Sequence, residues 1–223
     1  MCGRFVLYSD SITLAKRFET EMLTELRPSY NIAPSQTIPI VRQEGEKRVV
    51  VPVKWGLIPS WAKDTKISYS TINARAETVE TKPAFRSAFK HRRCLVPADG
   101  WYEWQVLENA DHKQPWFITQ KDREPLAFAG LWEQWRNPEG ESLESCSIIV
   151  TEANAFMKSI HNRMPVILAE DTWDTWLSPT NKEPQALQDL LIPYPKNDIS
   201  AWPVSTLVNS PKHNSPECLI EQS

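Results

Sequence analysis

Apolar residues recur along this chain at two different spacings. Over Ser11–Glu25 they fall at Ile12, Ala15, Phe18 and Met22. That three-to-four step lines one face of a helix, with Ser9 or Asp10 placed to cap its start. Elsewhere the signal is a series of short runs rich in β-branched and aromatic residues: Thr37–Arg42, Val49–Val53, Cys94–Val96, Trp101–Val106, Trp116–Thr119, Leu126–Leu131, Ser147–Val150, Val166–Leu168 and Trp202–Leu207. These predict strands. Pro52 inside the second run points to an edge or a bulge, because proline cannot donate to a ladder. Pro83–Phe89, Asn154–Ile160, Asp171–Leu177 and Pro184–Leu191 read as short helices. Strands outnumber helices and do not alternate with them regularly, which favours α+β over a doubly wound sheet. The expectation is a single domain with a mixed, mostly antiparallel, barrel-like β-sheet core and short flanking helices. With no internal repeat or long linker, that domain is placed at residues 1–208. A polar tail, 209–223, is expected to be loosely held.

Composition narrows the class. Of 223 residues, 41% are hydrophobic and 24% charged, so the chain can bury a real core. Its longest nearly unbroken apolar stretch, Leu126–Trp132, falls far short of the ~20 residues of a membrane span. No charged-then-apolar leader opens the chain. A cytoplasmic protein without a membrane partner is expected. Cys2, Cys94, Cys146 and Cys218 stand far apart with no C-x-x-C pair, which argues against structural zinc and a disulfide framework. No metal or organic cofactor is implied. Eighteen prolines against six glycines stiffen the turns, and ten tryptophans supply core as well as flat platforms for nucleobases.

The net charge of −3 conceals an asymmetry: residues 1–104 hold 16 Lys/Arg against 11 Asp/Glu, whereas 105–223 hold 9 against 17. Within Lys82–Arg93, Lys82, Arg86, Lys90, Arg92 and Arg93 occur with no acid. That run is either a solvated helix face or a local anion site. The overall charge argues against coating duplex DNA and leaves room for a short basic groove.

The first residues carry distinctive chemistry. A small second residue permits removal of Met1, which would leave Cys2 with a free α-amine. Unperturbed, that amine has a pKa of ~7.7–8.0 and the thiol ~8.5, so both are partly nucleophilic at neutral pH. The amine condenses with an aldehyde to an imine, and the thiol two carbons away closes onto it as a five-membered thiazolidine, helped by the high effective molarity of ring closure. N-terminal-nucleophile glutamine amidotransferases also begin Met-Cys-Gly and use the thiol against an amide. On position alone, Cys2 is equally an ordinary small residue at a chain end.

Four further segments stand out: Tyr30-Asn31-Ile32-Ala33-Pro34; Trp55-Gly56-Leu57-Ile58-Pro59-Ser60-Trp61 with Asn73-Ala74-Arg75-Ala76-Glu77; Cys94 to Trp104, ending Gly100-Trp101-Tyr102-Glu103-Trp104; and Ile160-His161-Asn162-Arg163-Met164-Pro165. With Met-Cys-Gly-Arg-Phe, in this order, they resemble the SRAP family of abasic-site processing proteins, related to the bacterial SOS response-associated peptidase. The resemblance runs from Met1 to about Val204. It implies a monomeric protein that binds single-stranded DNA containing abasic sites and crosslinks Cys2 to the aldehyde of the opened sugar. Lyase-like release and peptidase-like removal of Met1 are associated expectations. The amidotransferases share only the opening tripeptide. A non-covalent single-strand binding module is the other alternative.

The resemblance marks Cys2, Asn73, Glu103 and His161 as catalytic. Beside it stand physical readings. Glu103 among indole rings loses hydration, which raises its pKa and suits it to proton shuttling, although a glutamate in an alternating strand more often faces water. His161 can exchange protons near neutrality or merely complement the end of a helix. Asn73 can both donate and accept, or cap a turn. Arg4, Arg75 and Arg163 each lie two positions from one of these residues and suit phosphate oxygens. Pro34 and Trp61 are candidates for an apolar wall against neighbouring bases, or for core. Asn162 and Met164 depart from some relatives, where Asp and Arg are familiar, leaving His161 without an adjacent acid.

Overall fold

The computed structural model describes residues 2–21, 25–108, 112–181, 183–195 and 198–222. Its central device is a ring of five strands: β4 (Thr37–Glu44), β5 (Lys47–Trp55), β7 (Arg93–Ala98), β10 (Leu126–Arg136) and β11 (Ser142–Glu152). β5–β4–β7–β10–β11 pair in that order, antiparallel throughout. Parallel pairing of β5 with β11, Ser145 opposite Lys54 and Cys146 opposite Trp55, closes the ring. Closure shortens the open edges that could template aggregation. The interior is apolar: Ile40, Trp55, Leu95, Phe128 and Ile148 are fully buried or nearly so. The β4–β5 hairpin turns on Gly45 at φ +60°, where such a turn needs a residue tolerant of positive φ. Pro39 and Pro52 face one another, a rung where neither strand has an N–H to offer. Beyond them β5 pairs with β2 (Thr20–Glu21) only at 48–49 and with β11 only at 54–55, so Pro52 occupies an uncovered edge as expected.

A second sheet packs against the ring in the order β13 (Ile199–Pro203), β9 (Gln114–Gln120), β8 (Gly100–Gln105), β1 (Phe5–Leu7) and β3 (Ser29–Ile32). Phe5 of β1 drops into the core, edge-on to Trp55 and Phe128. β6 (Asn73–Arg75) and β12 (Arg163–Pro165) pair with the C-terminal end of β11. The result is the expected α+β domain, mostly antiparallel, with few short helices.

Several boundaries differ from the sequence pattern. α1 spans Ser11–Phe18 only, capped by the Asp10 carboxylate and ended by Glu19 in the left-handed region. It buries Leu14 and Phe18, while Ile12 is 82% exposed; Met22 lies outside the described residues. Asn154–Ile160 forms a single 3₁₀ turn at Met157–Ser159 instead of a helix. Residues 166–168 make an isolated bridge, Ile167 to Phe128, and not a full strand. α2 (Arg86–His91), α3 (Trp173–Leu177) and α4 (Pro184–Gln188) fall within or near their expected ranges.

The segment after Asn209 is not loosely held. Cys218 is buried, and Asn31 Nδ2 donates to the carbonyls of Val208, Ser210 and His213. Trp202 Nε1 donates to Leu219 O at 2.8 Å, and Val204 bridges Glu221. The basic run is also largely structural at its end. Arg93 is buried and donates to five backbone carbonyls, those of Phe89, Lys90, Trp176, Ser178 and Asn181. Arg92 pairs with the buried Glu133.

Candidate active site

Strand β1 fixes where the chain start lies. Phe5 pairs with Trp101 and Val6 with Gly100, and the Tyr102 N–H donates to Arg4 O at 3.0 Å. Continuing this antiparallel register carries Cys2 and Gly3 alongside Trp104 and Glu103. At the other end of β1, Asp99 accepts from the N–H groups of Tyr8 and Ser9 and from the Ser9 hydroxyl. The strand that follows Cys2 is thus held at both ends.

Cys2 is completely buried, and its thiol lies within electrostatic reach of Glu103. Burial pushes the thiol far above its ordinary range, and the Glu103 charge adds to the shift. This corrects the expectation of a partly ionised thiol: at neutral pH the sulfur keeps its proton. Glu103 does not face water either. Trp101 and Tyr102 cover opposite faces of β8, with Phe128 edge-on to Trp101 and Phe117 tilted on Tyr102. The Glu103 side chain is 2% exposed. Burial raises its carboxyl to about 7, with the chain's terminal ammonium acting the other way.

His161 Nδ1 lies 3.8 Å from Glu103 Oε2, too far for a hydrogen bond. The same nitrogen sits 3.0 Å from the Arg163 N–H and 3.2 Å from the Arg163 carbonyl oxygen. An N–H only donates, so the neutral ring accepts there and carries its proton on Nε2. When protonated, Nδ1 has the carbonyl to turn to. The backbone of Arg163 therefore orients His161 in both states, the role that an acid at position 162 would otherwise fill. Asn162 is exposed and Met164 buried. Burial lowers the His161 pKa, with the terminal ammonium and Lys113 adding to it, so the ring is neutral at pH 7.

Asn73 and Arg75 reach the region from the other side of β11. Val150 pairs with Arg75 on one edge and Pro165 on the other, so β6 and β12 flank the same strand end. Asn73 is buried; its Nδ2 reaches Ile148 O at 3.4 Å, while Oδ1 has no partner among the described residues. An acceptor desolvated in this way is costly unless something donates to it. Arg75 is exposed and makes no side-chain hydrogen bond or ion pair among the described residues. Arg163 Nη1 is held by Glu77. Arg4 Nη1 donates to Asn31 Oδ1 (2.7 Å) and Val208 O (2.6 Å), and its guanidinium lies over the Trp104 ring at 5.9 Å.

Pro34 and Trp61 are joined to this cluster by no hydrogen bond among the described residues. Pro34 is half-buried in the turn between β3 and β4. Trp61 is 60% exposed on the loop joining β5 to β6. That loop is clamped by Trp135 Nε1 donating to Ala62 O at 2.7 Å and by Gly56 at φ +125°, where a Cβ would stand 2.6 Å from Ser68 O. Sequence reasoning missed Glu77, Asn31 and Gln105, whose roles are visible only through partners far along the chain; their single signal was membership of the quoted motifs for the first two. Among the described residues no group of three or more His, Cys, Asp or Glu could hold a metal ion, and no helix is long and apolar enough to cross a membrane.

The sequence profile of the family described as SOS response associated peptidase (SRAP) matches residues 1–211. The abasic site processing protein YoaM of Bacillus subtilis is 50% identical over 98% of this chain and 97% of its own length. The abasic site processing protein HMCES of Rattus norvegicus is 35% identical over 86% of this chain and 64% of its own length. A crystal structure from Bacteroides thetaiotaomicron superimposes with a TM-score of 0.90 at 29% identity, covering both chains fully. Profile, relatives and fold agree, and the chain belongs to the SRAP family.

Proposed function

We propose that this protein captures abasic sites in single-stranded DNA by a covalent bond through Cys2. The observation that carries the reading is the juxtaposition, at the chain start, of a fully buried Cys2 with a carboxyl poised near neutrality and a neutral histidine 3.8 Å from it. The substrate class is supported by relatives named abasic site processing proteins.

Hydrolysis of the Met1–Cys2 bond must come first, since it frees the α-amine. With the thiol held protonated by burial, the amine acts first. Its nitrogen adds to the aldehyde carbon of the ring-opened sugar, and the carbinolamine loses water to give an imine. Glu103 gives a proton to the departing oxygen, and His161 Nδ1 takes one from the nitrogen as it gives up the Arg163 N–H and turns to the Arg163 carbonyl. The Sγ–H bond then breaks, sulfur bonds to the imine carbon, and the proton goes to nitrogen. Aldehyde plus aminothiol gives thiazolidine plus one water. Asn73 Oδ1 is the acceptor for a sugar hydroxyl or the reacting amine. The same groups can run the steps backwards, which provides for self-release.

Arg75, exposed and unpaired among the described residues, and Trp61, exposed on its clamped loop, serve an extended single strand with splayed bases. Arg4 and Arg163 contact the strand with the guanidinium atoms that Asn31, Val208 and Glu77 leave free. A denaturing gel tests the reading. An abasic oligonucleotide should remain attached without borohydride, an intact one should not, and Cys2→Ala should attach to neither. Attachment surviving in Cys2→Ala defeats the proposal.

A further inference from the structure

Beside His161 a cavity of about 380 Å³ opens between the end of β8 and the turn at 158–162. That volume falls within the range of small-ligand sites, about 300–1,000 Å³. Trp104, Gln105, Lys113, Lys158 and Ser159 line it together with His161. The walls are tied to one another. Gln105 Nε2 donates to Ser159 O at 2.7 Å, while Gln105 Oε1 accepts from Trp116 Nε1 at 2.9 Å. Trp104 Nε1 donates to Asn209 Oδ1 at 2.7 Å, which fixes the indole plane. Val106, 72% exposed, adds apolar surface at the mouth.

The charge here runs against that of the whole chain. Among the described residues no carboxylate lines the cavity. Lys113 and Lys158 are exposed, and neither forms an ion pair among the described residues. Two unpaired ammonium groups beside a fixed indole match a phosphate joined to a flat base, the repeating unit of a nucleic acid strand. Because the cavity opens directly onto His161, its occupant is continuous with the strand at the reacting centre.

We infer, resting on the function proposed above, that this cavity is a flank subsite: it seats the nucleotide next to the abasic position on one side, base against Trp104 and Val106, phosphate between Lys113 and Lys158. Of these four positions only Trp104 lies in the motifs of the catalytic cluster, so the subsite governs which strands are taken and not the bond-forming step.

The test uses three single-stranded abasic oligonucleotides, extended on the 5′ side only, on the 3′ side only, or on both. For each flank the gain in capture rate on adding it is measured for wild type and for Lys113→Ala/Lys158→Ala. The expected result is a several-fold drop in the gain for one flank alone, with the salt slope of that gain reduced by roughly 0.7 to 1.4. Lysine-to-arginine changes at both positions should restore it. Replacing the flanking nucleotide by a baseless spacer should cost the wild type part of the same gain. Equal loss for both flanks, or gains unchanged from wild type, overturns the subsite. Absence of capture by wild type on every oligonucleotide would instead overturn the proposed function itself.

Discussion

At Glu103 the burial that lifts the carboxyl to about 7 also sets how the fold responds to pH. An unfolded glutamate titrates near ~4.3. The native group binds its proton more tightly than the unfolded one, so its contribution to stability is full below about pH 4 and is lost as pH rises through 7. The loss amounts to about 4 kcal/mol. Glu103→Gln should therefore melt higher than wild type by a margin that grows between pH 5 and pH 8. Its capture rate should fall on the order of 10²-fold, the usual share of a proton shuttle. Thermal melts and single-turnover rates check both halves; a pH-independent melting difference would show that the carboxyl is not raised. Cys2→Ser separates the two nucleophiles. With the amine kept and the sulfur gone, the reaction should stop at the imine, attached on a denaturing gel only after borohydride. Attachment of Cys2→Ser without reductant would mean that sulfur closes no ring.

The elements that deliver these residues are short and depend on distant partners. β1 has three residues, and its placement comes from pairing with β8 and β3 and from Asp99. Asn31 on β3 binds the C-terminal segment through three carbonyls and holds Arg4 through its Oδ1. Asn31→Ala takes their Asn31 donor from the Ser210 and His213 carbonyls and leaves Val208 O to Arg4 alone, and should cost about 1–3 kcal/mol of stability by denaturant titration. A neutral result would mean that the remaining contacts, among them Asn214 with the Tyr30 N–H and Trp202 with Leu219 O, hold the C-terminal segment without Asn31. The same dependence explains what could be read beforehand. The long apolar runs of β7 and β10 and the alternating β8 announced themselves by period. β1 and β12 did not, because three residues show no period. In α1 the spacing places Ile12 and Phe18 on one face; Phe18 is buried against Trp173 as that pattern has it, while Leu14 is buried in place of Ile12. The tail read as loose because its composition is polar. Its anchors are Asn31 and Trp202, side chains that meet its carbonyls only in the folded chain. Cys2, Asn73, Glu103 and His161 stand out in the sequence through the motifs that carry the family resemblance, and the structure sets Glu103 beside Cys2 and His161. The Arg163 backbone that orients His161, and the ion pair of Arg163 with Glu77 some 86 residues away, follow from strand pairing.

Across the whole molecule, charge is divided so that strand contact does not require a basic protein. The chain carries −3 overall, yet the arginines beside the motifs lie in its more basic part or next to His161. Arg75→Glu should weaken capture most at low salt and reduce the salt slope by at least roughly 0.7, one single-strand phosphate contact. Capture equal to wild type across the salt series would remove Arg75 from the strand contact. The most direct measurement is the intact mass of the product formed without reductant. It should equal the oligonucleotide plus a chain beginning at Cys2, less one water. A product whose protein still begins at Met1, or whose attachment maps to any residue other than Cys2, would contradict the account.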